Sequence, residues 1–160
     1  MRNSIIDWEK AHLFMPHEGW CGVSTIKMIF NATGIEEPID EIARYTWKWW
    51  YGTPYILMVA YLNKFFWLVN YRTGATLEDI KKHLKAGHIC IINFQDGDDG
   101  HYAIVSNYKK GLLTIVDSSM ERKWTYTMTP AVLRQQWYDN LTDSLWHERL
   151  LIWVDPKTKK

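Results

Sequence analysis

Along residues 20–33 the apolar positions Val23, Ile26, Ile29 and Phe30 recur at helical spacing, and Gly34 follows as a C-terminal stop. The pattern predicts a helix whose first turn holds Cys21 and Gly22. Further helices are predicted over 37–46, 54–67 and 77–86, the last opened by Thr76 and Asp79 in capping-box spacing. After Gly87 the pattern changes to short β-rich runs: HICIINF (88–94), HYAIVSNY (101–108), LLTIVD (112–117), KWTYTMT (123–129) and RLLIWVD (149–155). Polar turns separate them, which suits an antiparallel sheet. Thr129 followed by Pro130 supplies an N-cap and a first-turn proline, so AVLRQQW is predicted as one more helix between the last strands.

Helices first and strands second is the order of an α+β fold. A chain of 160 residues is long enough for one well-packed domain and short for two. That domain is expected to run over 1–156, leaving 157–160, the end of PKTKK, as a disordered tail. The longest apolar segment, PYILMVAYLNKFFWLV (54–69), is interrupted by Asn63 and Lys64 before it reaches the roughly eighteen residues of a spanning helix. It reads as a buried helix. At the start, MRNSIIDWEKAHLF holds one brief apolar pair cut off by Asp7 and Glu9, which fits neither a signal peptide nor a transmembrane start. A cytoplasmic protein with no membrane insertion is the expectation.

Composition alters this picture in two places. A net charge of +1 provides no field that would gather nucleic acid or anionic lipid, so a nucleic-acid partner is not expected. Ten tryptophans, three of them in YTWKWWY (45–51), are more aromatic surface than a core of this size readily hides. Packing and the wall of a groove account for that cluster better than a sugar platform does.

Of the residues that can do chemistry, Cys21 has the most telling placement. The unpaired amides and dipole of a helix start favour a thiolate, and Gly22 beside it would let a carbonyl approach the cysteine's backbone amide. A buried structural cysteine is the plainer reading, so partners matter. His101 opens a strand straight after the loop GDDG and can face a cleft as the base, although a histidine can also simply end a turn. Asp117 ends the next strand, and a tight hairpin at 109–111 would bring its carboxylate to that histidine; it could equally be only a turn residue. Cys90, set between isoleucines in a predicted strand, reads as core, and a reducing compartment argues against its pairing with Cys21. Neither His12, His17 and Cys21 nor His83, His88 and Cys90 has the paired spacing of a structural zinc site, so no metal is expected. Asp96, Asp98 and Asp99 read as a solvated loop whose charge could raise the pKa of His101 or attract a basic substrate.

WCGVSTIKMIFNATG resembles the Cys-Gly helix of the papain-like cysteine peptidases that cut double-glycine leaders from bacteriocin precursors. LKAGHICIINF resembles that family's lysine-glycine strand entry, and GHYAIVSNY followed by LLTIVDSS resemble its histidine and aspartate strands. GTPYILMVAYLNKFF and TPAVLRQQW are similar to its connecting helices. The resemblance covers most of the chain, and separations of 80 residues from Cys21 to His101 and 16 from His101 to Asp117 are of the size that family uses.

The resemblance implies a papain-like α+β fold, a helical half carrying Cys21 packed on an antiparallel sheet half carrying His101 and Asp117. It implies a Cys21–His101–Asp117 triad that cleaves a peptide or amide bond of a peptide or protein substrate, with no cofactor. One position departs from the pattern. The family's oxyanion glutamine, six residues before the cysteine, is here Met15, which carries no donor. His17 in the same loop is the expected substitute, with Gln95 as the other candidate. The departure also keeps a second reading open, a domain whose catalysis has lapsed and whose groove binds a peptide or a protein. The transporter to which the family's leader peptidases are usually fused is missing from this sequence, so a partner protein would act in trans.

Overall fold

The computed structural model describes residues 5–97, 99–139 and 147–159. The chain begins with a single turn of helix, α1 (Trp8–Ala11), and then α2 (Cys21–Thr33), α3 (Ile39–Thr46) and α4 (Tyr55–Leu62). A strand, β1 (Val69–Arg72), precedes α5 (Leu77–Lys85). Then come β2 (Ile89–Asp96), β3 (Asp99–Lys109), β4 (Leu112–Val116), β5 (Thr125–Met128) and α6 (Pro130–Gln136). The described chain closes with two short strands, β6 (Tyr138–Asp139) and β7 (His147–Glu148), and with β8 (Leu151–Val154).

Local chemistry sets most of these boundaries. Gly34 ends α2 in the left-handed conformation at φ 77°, where a side chain would be strained. The Thr76 hydroxyl accepts from the Asp79 amide at 3.3 Å while the Asp79 carboxylate accepts from the Thr76 amide at 2.8 Å, closing the expected capping box of α5. Thr129 caps α6 by accepting from the Val132 amide at 3.2 Å, with Pro130 as its first residue.

The helix predicted over 54–67 is shorter. Its Asn63 side chain donates back to the Val59 carbonyl at 3.0 Å, a local bond that competes with further helix, and the chain turns through Lys64 and Phe65. Residues beyond it form β1, which the sequence pattern did not reveal. Within the tail expected over 157–160, backbone contacts reach the segment after α4. Thr158 bridges Phe66 and the Lys159 amide donates to the Phe65 carbonyl at 2.8 Å, so backbone pairing holds it.

Six strands form one sheet in the order β1-β8-β2-β3-β4-β5, and β6 pairs separately with β7. Every pairing is antiparallel, with Phe94 opposite His101 and Val116 opposite Thr125 as the registers nearest the site. Successive residues point to opposite faces, and both faces are covered. Ile89, Ile91, Tyr102, Ile104, Ile152 and Val154 meet Val23, Ile26, Ile29 and Phe30 of α2. Cys90, Ile92, Phe94, Val105 and Ile115 meet Ile80 of α5 and Leu133 of α6 on the other face. Each large apolar side chain so buried is worth about 1.5–3 kcal/mol relative to exposure, so the α2 face alone anchors the helix firmly to the sheet. Among the described residues, no helix is long and apolar enough to cross a membrane.

Candidate active site

Cys21 is the first residue of α2 and is half-buried. The N-cap position is Trp20, whose side chain makes no capping bond, so the start of the helix is not closed by a side-chain acceptor. Gly22 is buried against Thr53: a Cβ at position 22 would lie 2.5 Å from the Thr53 Cβ and 2.8 Å from its Oγ1. Only glycine lets the segment leading to α4 approach the helix so closely. The Thr53 carbonyl in turn accepts from the Tyr102 hydroxyl at 2.8 Å, which ties the start of α2 to the residue after His101.

His101 lies near the start of β3, buried, with its ring edge against Phe94 at 5.5 Å. Its Nε2 is 2.6 Å from Asp117 Oδ1, and the Cys21 side chain lies close enough to the ring to help raise its pKa. With Nε2 engaged by the carboxylate, Nδ1 is the ring nitrogen left for the thiol. Burial works against the imidazolium, but the hydrogen bonds and charges of Asp117 and Cys21 outweigh it and raise the His101 pKa to about 10. Burial likewise works against the Asp117 carboxylate, yet its donors, His101 first among them, hold its pKa below the ordinary value. The arrangement can store a proton on the imidazole beside a sulfur nucleophile and deliver it to a leaving group.

Asp117 has more partners than the sequence suggested. Its Oδ1 also accepts from the Ser119 amide at 2.8 Å, and its Oδ2 accepts from the Tyr126 hydroxyl at 2.7 Å and Arg122 Nη1 at 3.3 Å. Arg122 is ion-paired with Asp96 as well, so that aspartate is not merely a solvated loop residue. The Asp117 carbonyl accepts from His12 Nε2 at 2.7 Å, and the neighbouring Ser118 carbonyl accepts from the Met15 amide at 2.8 Å. Sequence reasoning missed Arg122 and Tyr126. The one signal available was the alternation of KWTYTMT, which puts Tyr126 on the same face as Asp117 once the register pairs Tyr126 with Ile115.

The remaining candidates fall outside that group. His17 is exposed, its ring packed edge-on against Trp20 at 4.5 Å. Gln95 is buried, donates to the Gly97 carbonyl at 2.9 Å, and leaves its Oε1 without a hydrogen-bond partner. Cys90 is fully buried, and burial pushes its thiol up to about 12. His12 is committed to the Asp117 carbonyl, while His83 and His88 face one another through their Nδ1 atoms at 3.0 Å. Among the described residues no group of three His, Cys, Asp or Glu side chains could hold a metal ion. Of the tryptophan cluster, Trp47 packs near Trp20, whereas Trp49 and Trp50 are 79% and 64% exposed on the turn bridged by Lys48 and Gly52.

A profile of the Peptidase_C39 like family matches residues 5–143. Comparison with curated proteins gives no match. Among solved structures, the chain is similar to one described as a C39-like peptidase from Bacillus anthracis, with a TM-score of 0.68 and 14% identity over 97% of this chain and 98% of that one. It is also similar to a double glycine motif protease from an AMS/PCAT transporter in complex with the leader peptide, with a TM-score of 0.61 and 9% identity over 89% of both chains. At such identities the likeness is one of fold, and the papain-like α+β arrangement expected from the sequence is the fold observed.

Proposed function

The chain belongs to the C39-like peptidase family, and on that premise we propose that it hydrolyses a peptide or amide bond through Cys21, His101 and Asp117. One observation carries the reading: a single buried imidazole pairs at 2.6 Å with a buried carboxylate and lies beside the thiol at a helix start, close enough for that thiol to help raise its pKa. Cys21 attacks the substrate carbonyl as thiolate, forming the C–S bond while the carbonyl oxygen takes the negative charge. The amides at the start of α2 face that charge. As the tetrahedral species collapses, His101 gives its proton to the departing amine and the thioester remains. His101 then removes a proton from water, the resulting hydroxide attacks the thioester, and the acid product leaves with the thiolate restored. Asp117 keeps the imidazole turned so that Nδ1 serves the sulfur.

The substrate in this reading is a peptide or protein. The second oxyanion donor falls to His17, four residues before Cys21, because Met15 has none to give. Loss of one such donor typically removes about 2.7–4 kcal/mol of transition-state stabilisation, so replacing His17 with alanine should lower kcat at least tenfold. The test of the whole reading is labelling by a thiol-directed peptidase inhibitor followed by mass spectrometry. Covalent adduct on Cys21 in the wild type, lost in His101→Ala, supports it; an unlabelled Cys21 overturns it. Met15 favours one alternative, a lapsed peptidase that holds peptides without cutting them. Labelled Cys21 with peptide retention and no turnover, even in Met15→Gln, would establish that alternative instead.

A further inference from the structure

We infer that Tyr126 and Arg122 are positioning residues that clamp one oxygen of the Asp117 carboxylate and so reserve the other for His101. The inference rests on the triad reading of Asp117. A buried carboxylate with a single partner has two ways to fail. Its terminal torsion is broad, so it can turn and exchange oxygens, and it can take up a proton to escape the cost of buried charge. The bonds to Oδ2 close both routes. Tyr126 at 2.7 Å and Arg122 at 3.3 Å fix the plane of the group and favour its charged form, while His101 and the Ser119 amide occupy Oδ1.

The clamp also joins separate parts of the sheet. Arg122 lies in the loop after β4, bonds to the Tyr126 hydroxyl of β5 at 3.2 Å, pairs with Asp96 at the end of β2, and places its guanidinium 5.8 Å from the Phe94 ring. Phe94 is the register partner of His101. One side chain therefore spans the strands that carry both the base and its carboxylate. Charge counting gives a second role. The guanidinium is shared by Asp96 and Asp117, which leaves one negative charge for the His101 imidazolium to balance. The other titratable groups at hand leave this count unchanged: His12 reaches only the Asp117 carbonyl, Cys21 meets the network through His101, and the Tyr126 hydroxyl donates to Asp117 and accepts from Arg122 without carrying a charge.

The experiment follows iodoacetamide alkylation of Cys21 in the full chain by intact mass, from about pH 4 to about pH 9. Without the Oδ2 donors Asp117 protonates more readily, and His101 loses its partner at a higher pH. Tyr126→Phe and Arg122→Met should each move the acid limb up by about one pH unit and slow alkylation about tenfold on the acid side of that limb, while leaving the rate near neutral pH little changed. Arg122→Lys should recover part of the loss, since it restores the charge without the planar fork. A residue that only supported the fold would lower thermal stability and leave the limb in place. Unmoved limbs in both Tyr126→Phe and Arg122→Met, beside an alkylation that His101→Ala slows, overturn the clamp and leave the triad standing. An alkylation rate that His101→Ala does not change overturns the triad, and the clamp with it.

Discussion

Cys90 stands in β2 with its thiol fully buried and pushed up to about 12, whereas Cys21 opens α2 half-exposed beside His101. Brief iodoacetamide treatment of the native protein near neutral pH should therefore modify Cys21 alone, as read by peptide mass spectrometry; modification of Cys90 at a comparable rate would contradict this. The buried pair of His101 and Asp117 also predicts how stability depends on pH. The folded pKa of His101 lies above its ordinary 6.5, so its contribution is complete below about pH 6.5 and is lost as pH rises toward about 10. The folded pKa of Asp117 lies below its ordinary 3.8, so its contribution is present above about pH 3.8 and is lost as pH falls through the depressed value. Thermal unfolding of wild type and His101→Gln should differ most between those limits and converge at the alkaline end. The placement of Cys21 at a helix start, and of His101 and Asp117 at a strand start and a strand end, was legible in the sequence, and the structure pairs the latter two at 2.6 Å. Arg122 and Tyr126 were not legible, since their reach to Asp117 depends on the β4–β5 register and on a loop of no pattern.

At the scale of elements, Gly22 makes the sharpest test. Replacing a glycine in a helix with alanine ordinarily stabilises by about 0.5–1 kcal/mol. Here the new Cβ would meet the Thr53 Cβ at 2.5 Å, and the nearest atom is bound directly to the backbone, so it cannot swing aside. Gly22→Ala should instead destabilise by about 1–3 kcal/mol in denaturant unfolding, and should slow alkylation of Cys21 by displacing the helix start. A gain in stability would show that the contact between α2 and Thr53 is looser than the distances say. The boundaries of α2, α5 and α6 could be read from their apolar spacing and caps. Those of α4 and β1 could not. The hydrophobic run continues past Leu62, and nothing within 54–72 announces that Val69 will pair with Val154. Strand formation there is decided by a partner far along the chain, which a local pattern does not contain.

That partner governs the whole molecule. β8 lies inside the sheet, between β1 and β2, and its Leu151, Ile152 and Val154 are buried on both faces. Removing residues 151–160 should abolish cooperative unfolding, because β1 loses its sheet neighbour and the α2 face of the core loses Ile152 and Val154. Removing only 157–160 breaks the Phe66–Thr158 pairing and should cost no more than about 2–4 °C in Tm for each kcal/mol of that contact. Circular dichroism melts of the two truncations distinguish these outcomes, and equal losses would contradict the interior role of β8. The position of β8 has a consequence in time as well. Cys21, His101 and Asp117 are all translated well before residue 154, yet the sheet that carries the latter two, and against which the helix of Cys21 packs, cannot close until that residue has left the ribosome. The order of strands thus acts as a delay: the nascent chain carries all three proposed reacting groups for a matter of seconds before it can assemble them, at synthesis rates of roughly 5–20 residues per second. Chains arrested with β8 still in the exit tunnel should not take up an active-site-directed inhibitor at Cys21, and should do so once released.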